Sequence, residues 1–93
     1  MNEMKKAVVS VLGNDQRGII AKVSKILYEH DVNILDISQT IVSGLFSMIS
    51  VVDMSSEHTD FDAVSQDLHA LGEELHLQIR IQRSEIFDAM HHV

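Results

Sequence analysis

The chain has 93 residues, a formal net charge of −7 and no cysteine or proline. A chain of this size fits one domain, is expected to leave no room for a second, catalytic one, and buries well under ~70% of the surface it exposes when unfolded, so association would help it. The acidic balance opposes phosphate backbones and anionic membranes, and the lack of cysteine removes disulfides, thiolate metal ligands and a cysteine nucleophile, so neither nucleic acid nor membrane is an expected partner and the cytoplasm is the expected compartment.

Two lysines precede a short apolar run at the amino terminus, too short for a signal sequence or a membrane span. Lys5 to Leu12 is rich in valine and apolar on both faces, with Ala7, Val9 and Val11 on one and Val8, Ser10 and Leu12 on the other, which predicts an interior strand. Asp15 suits a helix N-cap, because its carboxylate can accept from unpaired N–H groups of the first turn. Gly18 is costly inside a first turn, by about 0.5–1 kcal/mol relative to Ala, so it suggests close backbone approach by a ligand or another chain. From Gln16 to His30, Ile19, Ile20, Val23, Ile26 and Leu27 recur at helical spacing and predict an amphipathic helix. Val32 to Val42 is β-branched and predicts a strand, with Leu35, Ile37 and Ile41 on one face and Asp36, Ser38 and Thr40 on the other.

Ser43-Gly44 is a compact turn signal, and Leu45 to Met54 continues as the second arm of an antiparallel hairpin. Thr59 can cap a helix whose first turn holds Asp60 and Asp62, and Phe61, Val64, Leu68, Leu71 and Leu75 give it one apolar stripe. Gly72 is a weak spot near its end. His76 to Arg83 alternates, with Leu77, Ile79 and Ile81 against Gln78, Arg80 and Gln82, and predicts a strand wet on one face. Ser84 suits the cap of a short terminal helix carrying Ile86, Phe87 and Met90.

The order βαββαβ predicts an α+β, ferredoxin-like sandwich: a four-stranded antiparallel sheet with two helices on one face, spanning residues 1–83, and a helical tail over 84–93. The other face of the sheet would expose apolar side chains, so the tail, a partner subunit or both are expected to cover it.

One stretch is more specific. The string D-x-x-G-I-I-A-x-V-S-x-x-L from Asp15 to Leu27, followed by N-I-L-D-I-S-Q-T from Asn33 to Thr40, resembles the ACT domain. It is similar to the small stand-alone ACT proteins of bacteria and archaea, and to the ACT modules of the glycine-cleavage repressor and formyltetrahydrofolate deformylase. The family's turn often reads Asp-Arg-Pro-Gly, whereas Asp15-Gln16-Arg17-Gly18 has no proline. The resemblance implies a regulatory module, without catalysis or cofactor, that binds a small effector such as an amino acid and works as a homodimer, with a protein partner as a further possibility. Carried over by position, it implies Asn14, Asp15, Gly18, Ile19 and Ile20 at the ligand, with Asn33, Asp36 and Gln39 from the second segment.

Other functions of this fold leave different signatures. An RNA platform needs aromatics on the central strands, and only Phe46 sits on one. Copper carriers need a cysteine pair. Small acyl-phosphate hydrolases need an arginine in the first turn, so Arg17 keeps that reading open by analogy, beside that of a protein-interaction module without a small ligand. The six histidines show no i, i+4 pair and read as surface imidazoles, so no metal site is expected.

Overall fold

A computed structural model describes residues 5–83. Strand β1 (Lys6–Asn14) leads into helix α1 (Ile19–Glu29), the hairpin β2 (Asn33–Val42) and β3 (Leu45–Asp53), helix α2 (Phe61–Leu75) and strand β4 (Gln78–Arg83). The sheet is antiparallel, in the order β2-β3-β1-β4. This is the ferredoxin-like arrangement that the element order predicts. The expected C-terminal helix lies outside the described residues.

The doubly apolar strands β1 and β3 are the central pair, because only an interior strand has apolar neighbours on both sides and both faces. Ala7, Val9 and Val11 of β1 meet Phe46, Met48 and Val52 of β3 on the helix side, where Val23 and Leu27 of α1 and Val64 and Leu68 of α2 complete the core. Phe46 is buried there and is no stacking platform. The β2–β3 hairpin closes through Ser43 and Gly44, both with positive φ (52° and 80°), the twist a two-residue hairpin prefers.

Three local expectations are corrected. Asp15 does not cap α1: the helix starts later, its N-cap is Gly18 in the left-handed conformation (φ 81°), and no side chain supplies the cap. Thr59 does not cap α2; Asp60 does, accepting from the Asp62 amide at 3.0 Å, while the Thr59 hydroxyl donates to the carbonyls of His30 and Asp31 at the end of α1. Gly72 is a packing position, since a Cβ there would lie 2.8 Å from the Leu77 carbonyl oxygen. The helix ends one turn later at His76 (φ 60°), and the Leu77 amide closes back onto the Gly72 carbonyl at 2.8 Å.

Strand β2 behaves differently from its sequence pattern. A bulge between Ile34 and Asp36 takes Leu35 out of the alternation. The buried Ser50 hydroxyl donates to the Asp36 carbonyl at 3.1 Å, and the Asp36 carboxylate accepts from the next amide, that of Ile37, at 2.9 Å. Beyond the bulge, Ile37 and Ile41 face the helix side but are 41% and 54% exposed, because β2 runs past the edge of the helical layer.

Candidate functional site

The turn between β1 and α1 is held from two sides. The Asp15 amide donates to the Gly44 carbonyl at 2.8 Å, which fixes the turn against the tip of the β2–β3 hairpin. The Gln16 side chain donates to the Leu75 carbonyl at 3.0 Å, which fixes it against the end of α2. Arg17 and Gly18, between these anchors and the helix, are exposed.

The start of α1 is electrically incomplete. The first amides of any helix lack intrahelical acceptors, and here no side chain among the described residues caps them and no acidic residue stands in the first turn. The chain instead places Arg17 just before the helix and Lys22 within it, with Lys22 Cε 3.9 Å from where a Cβ on Gly18 would stand. Gly18 has open space around it otherwise. The glycine is therefore demanded by its positive φ and not by close packing among the described residues. An anion reaching this point would meet unpaired N–H groups and partial positive charge.

The expected site residues divide into groups. Asn14, Asp15 and Gly18 are exposed around this turn, so their polar groups are accessible. Ile19 is 2% exposed and Ile20 half-buried against the core, so their contribution at the turn is the backbone amide and not the side chain. Asn33, Asp36 and Gln39 are all exposed, but the register sets them apart. Asn33 pairs with Asp53, opposite Lys6 at the far end of β1, roughly 25 Å along the sheet from Asn14 at ~3.3 Å per residue. Asp36 lies level with Val8, roughly 20 Å away, and Gln39 level with Val11, roughly 10 Å away. Within one chain Asn33, Asp36 and Gln39 do not reach the turn.

The anchoring role of Gln16 was not visible in the sequence, because its partner Leu75 lies 59 residues away and no local pattern records it. Lys22 reads in sequence as one more polar position of an amphipathic helix. Elsewhere, His30 is paired, its Nε2 lying 2.6 Å from the Asp67 carboxylate on α2. Among the described residues no three His, Asp or Glu side chains gather as metal ligands, and no helix is long and apolar enough to cross a membrane.

Comparison with known proteins agrees with this geometry. The ACT domain family profile matches residues 5–82. A UPF0237 protein of Methanocaldococcus jannaschii is 48% identical over 90 residues, which cover 97% of this chain and all of that protein. Among solved structures, an ACT domain protein from Streptococcus pneumoniae superposes with a TM-score of 0.78 at 38% identity, over 91% of this chain and 96% of that one. A formyltetrahydrofolate deformylase from Pseudomonas syringae superposes with a TM-score of 0.79 at 27% identity, over 88% of this chain but only 28% of the larger enzyme. Matched from residue 5 to 82 by the family profile and over nearly its whole length by these relatives, the chain belongs to the ACT-domain family.

Proposed function

We propose that this chain is a cytoplasmic, non-catalytic regulatory module that binds an amino acid, works as a homodimer and modulates an enzyme or repressor in trans. The observation that carries the proposal is the uncapped start of α1 at Gly18, pinned between the hairpin tip and α2 and flanked by Arg17 and Lys22. The carboxylate of an amino acid takes the place a capping side chain leaves open, bonding to the amides of Ile19 and Ile20. Its ammonium group needs acceptors, which Asn14 and Asp15 offer.

Homodimerisation would bring in the second motif segment. Strand β2 is a ten-residue edge strand without lysine or proline, and it carries Ile37 and Ile41 exposed. Such an edge is a template for another strand. Two copies of β2 paired antiparallel about their midpoint, between Ile37 and Ser38, would set Asn33 of the partner subunit opposite Val42, next to the hairpin tip that holds the turn. Asn33 would in this way join the site across a two-fold interface.

A thermal-shift screen over the proteinogenic amino acids and common one-carbon metabolites tests the ligand. A ligand at ten times its dissociation constant adds about 1.4 kcal/mol, or roughly 6–11 °C in a domain of this size. Arg17→Glu, at an exposed position, should not lower the unliganded melting temperature, since an acidic side chain suits a helix N-terminus, and should weaken the ligand shift through charge repulsion. A chain that responds to no compound in the screen, yet captures one defined protein, is instead an interaction module without a small ligand.

A further inference from the structure

Besides the outer edge of β2, the described residues leave an apolar area open on the face of the sheet away from the helices. Ile49 is 53% exposed there although it stands on a central strand, and Leu12 is 42% exposed. Val8 and Val51, both half-buried, lead from Ile49 to a charged end, where Lys6 of β1 stands beside Asp53 of β3. The outer strands add Asp36 on β2 and Arg80 on β4. Two cations and two anions give this face no overall sign, so what distinguishes it is how the residues are arranged about the line between β1 and β3.

The arrangement sets unlike beside unlike. Across that line Lys6 faces Asp53, Ser10 faces Ile49 and Leu12 faces Ser47, so a cation stands beside an anion and each small side chain beside a large one. Val8 beside Val51 is the apolar match between them. We propose that this face is an interface between two copies of the chain, packed sheet on sheet about a two-fold axis that runs along the strands, midway between β1 and β3. It is distinct from the β2 edge and independent of any ligand. The axis lays β3 of one copy over β1 of the other, about 10 Å away. Ile49 then fills the space above Ser10 of the partner subunit, Leu12 fills the space above Ser47 of the partner subunit, and Val51 covers Val8 of the partner subunit. Asp53 meets Lys6 of the partner subunit, and the symmetry makes every one of these contacts twice.

Three features select a second copy as the occupant. The first is charge: on the outer strands, too, the axis brings β2 over β4, with Asp36 one row from Arg80 of the partner subunit, so both anions approach cations. The second is the uniqueness of the axis. A two-fold running across the strands through Ile49 would stack Ile49 on its own copy and lay Asp53 on Leu45, setting large on large and charge on apolar. Aligned sheets cross at about 30°, which keeps the central rows in register and slides the charged end rows by about the length of a lysine side chain. The third is size. Leu45 to Asp53 spans ~27 Å and the four strands ~14 Å, so roughly 400 Å² of each copy is covered in plan, a contact of the weak, reversible class that forms above micromolar concentration.

The Ile37→Lys/Ile41→Lys chain, with its β2 edge blocked, reads this contact alone. Light scattering should give 10.4 kDa at micromolar concentration and a rise towards twice that mass as the concentration approaches about 1 mM. Ile49→Arg in that chain replaces a side chain already half in solvent, so the melting temperature should hold while the rise disappears. Lys6→Glu and Asp53→Lys, added one at a time, each set like charges opposite one another and should weaken the association by about tenfold or more at low salt. An equimolar mixture of these two chains should restore it, because the acidic position 6 of one then meets the basic position 53 of the other. Asp53 also accepts from the Ser55 amide at 2.9 Å, so if Asp53→Lys lacks a cooperative melt, the Ile49→Arg result decides. A single-chain mass at every concentration overturns the proposal, as does a rise that Ile49→Arg leaves intact, which places the contact on another surface. A lower melting temperature of Ile49→Arg at micromolar concentration overturns it in favour of a segment of the same chain on the face. A mixture of folded charge variants that stays monomeric overturns the two-fold arrangement.

Discussion

Two glycines in this chain serve opposite ends. Gly18 holds a left-handed backbone in open space, so a side chain there pays only for its conformation, about 1–2 kcal/mol for an L-residue. Gly18→Ala is therefore expected to keep a cooperative transition and melt roughly 4–16 °C lower. Gly72 lies inside α2, where Ala for Gly normally stabilises by about 1 kcal/mol through helix propensity. Here the added carbon would meet the Leu77 carbonyl oxygen, a backbone atom that cannot rotate away, at 2.8 Å. The sign reverses: Gly72→Ala should destabilise by about 1–3 kcal/mol in urea titration. An alanine variant as stable as the parent would mean that β4 yields freely at its first residues.

Between elements, the loop before α2 adds polar ties to the apolar packing of the two helices. The Thr59 hydroxyl is placed within 2.8 Å of the His30 carbonyl and 3.1 Å of the Asp31 carbonyl, and so answers the unpaired carbonyls at the end of α1. Thr59→Val removes the hydroxyl at constant shape and should cost about 1–2 kcal/mol, whereas Thr59→Ser should retain most of the stability, as read by thermal denaturation. The nearby contact of His30 with Asp67 ties the same two helices together from their sides. With α1 so fixed at its end and by Gln16 and Asp15 at its start, the uncapped amides are presented on a rigid body, as selective binding of a small anion requires.

At the scale of the whole molecule, the outer edge of β2 is unprotected among the described residues. Edge strands are usually short or carry lysine, proline or a covering segment, and β2 has only its bulge, at the end away from the hairpin. Ile37→Lys and Ile41→Lys replace side chains already half in solvent, so the fold should persist while pairing of two edges is blocked. Light scattering at micromolar concentration should give about twice the 10.4 kDa chain mass for the parent and the single-chain mass for the variants. A monomeric parent would remove the proposed route by which Asn33 reaches the turn.

The periodicity of apolar residues was enough to place all six elements, their order and the interior position of β1 and β3, because which side chains can be buried together is written locally, at spacings of two and three to four residues. The motif from Asp15 to Thr40 likewise made the turn legible as the candidate site. Tertiary structure decided what the local pattern does not encode. Asp15 was a plausible cap by residue type, yet its amide is engaged by Gly44, so the helix starts at Gly18 and its first amides stay open. Thr59 was a plausible cap for the same reason, and the carbonyls at the end of α1 claim it. Asn33 and Asp36 follow the turn closely in the motif, but helix α1 carries the chain to the far end of the sheet, where β2 begins. Capping and site assembly depend on which polar groups the fold brings within about 3 Å, and those partners lie tens of residues away in the chain.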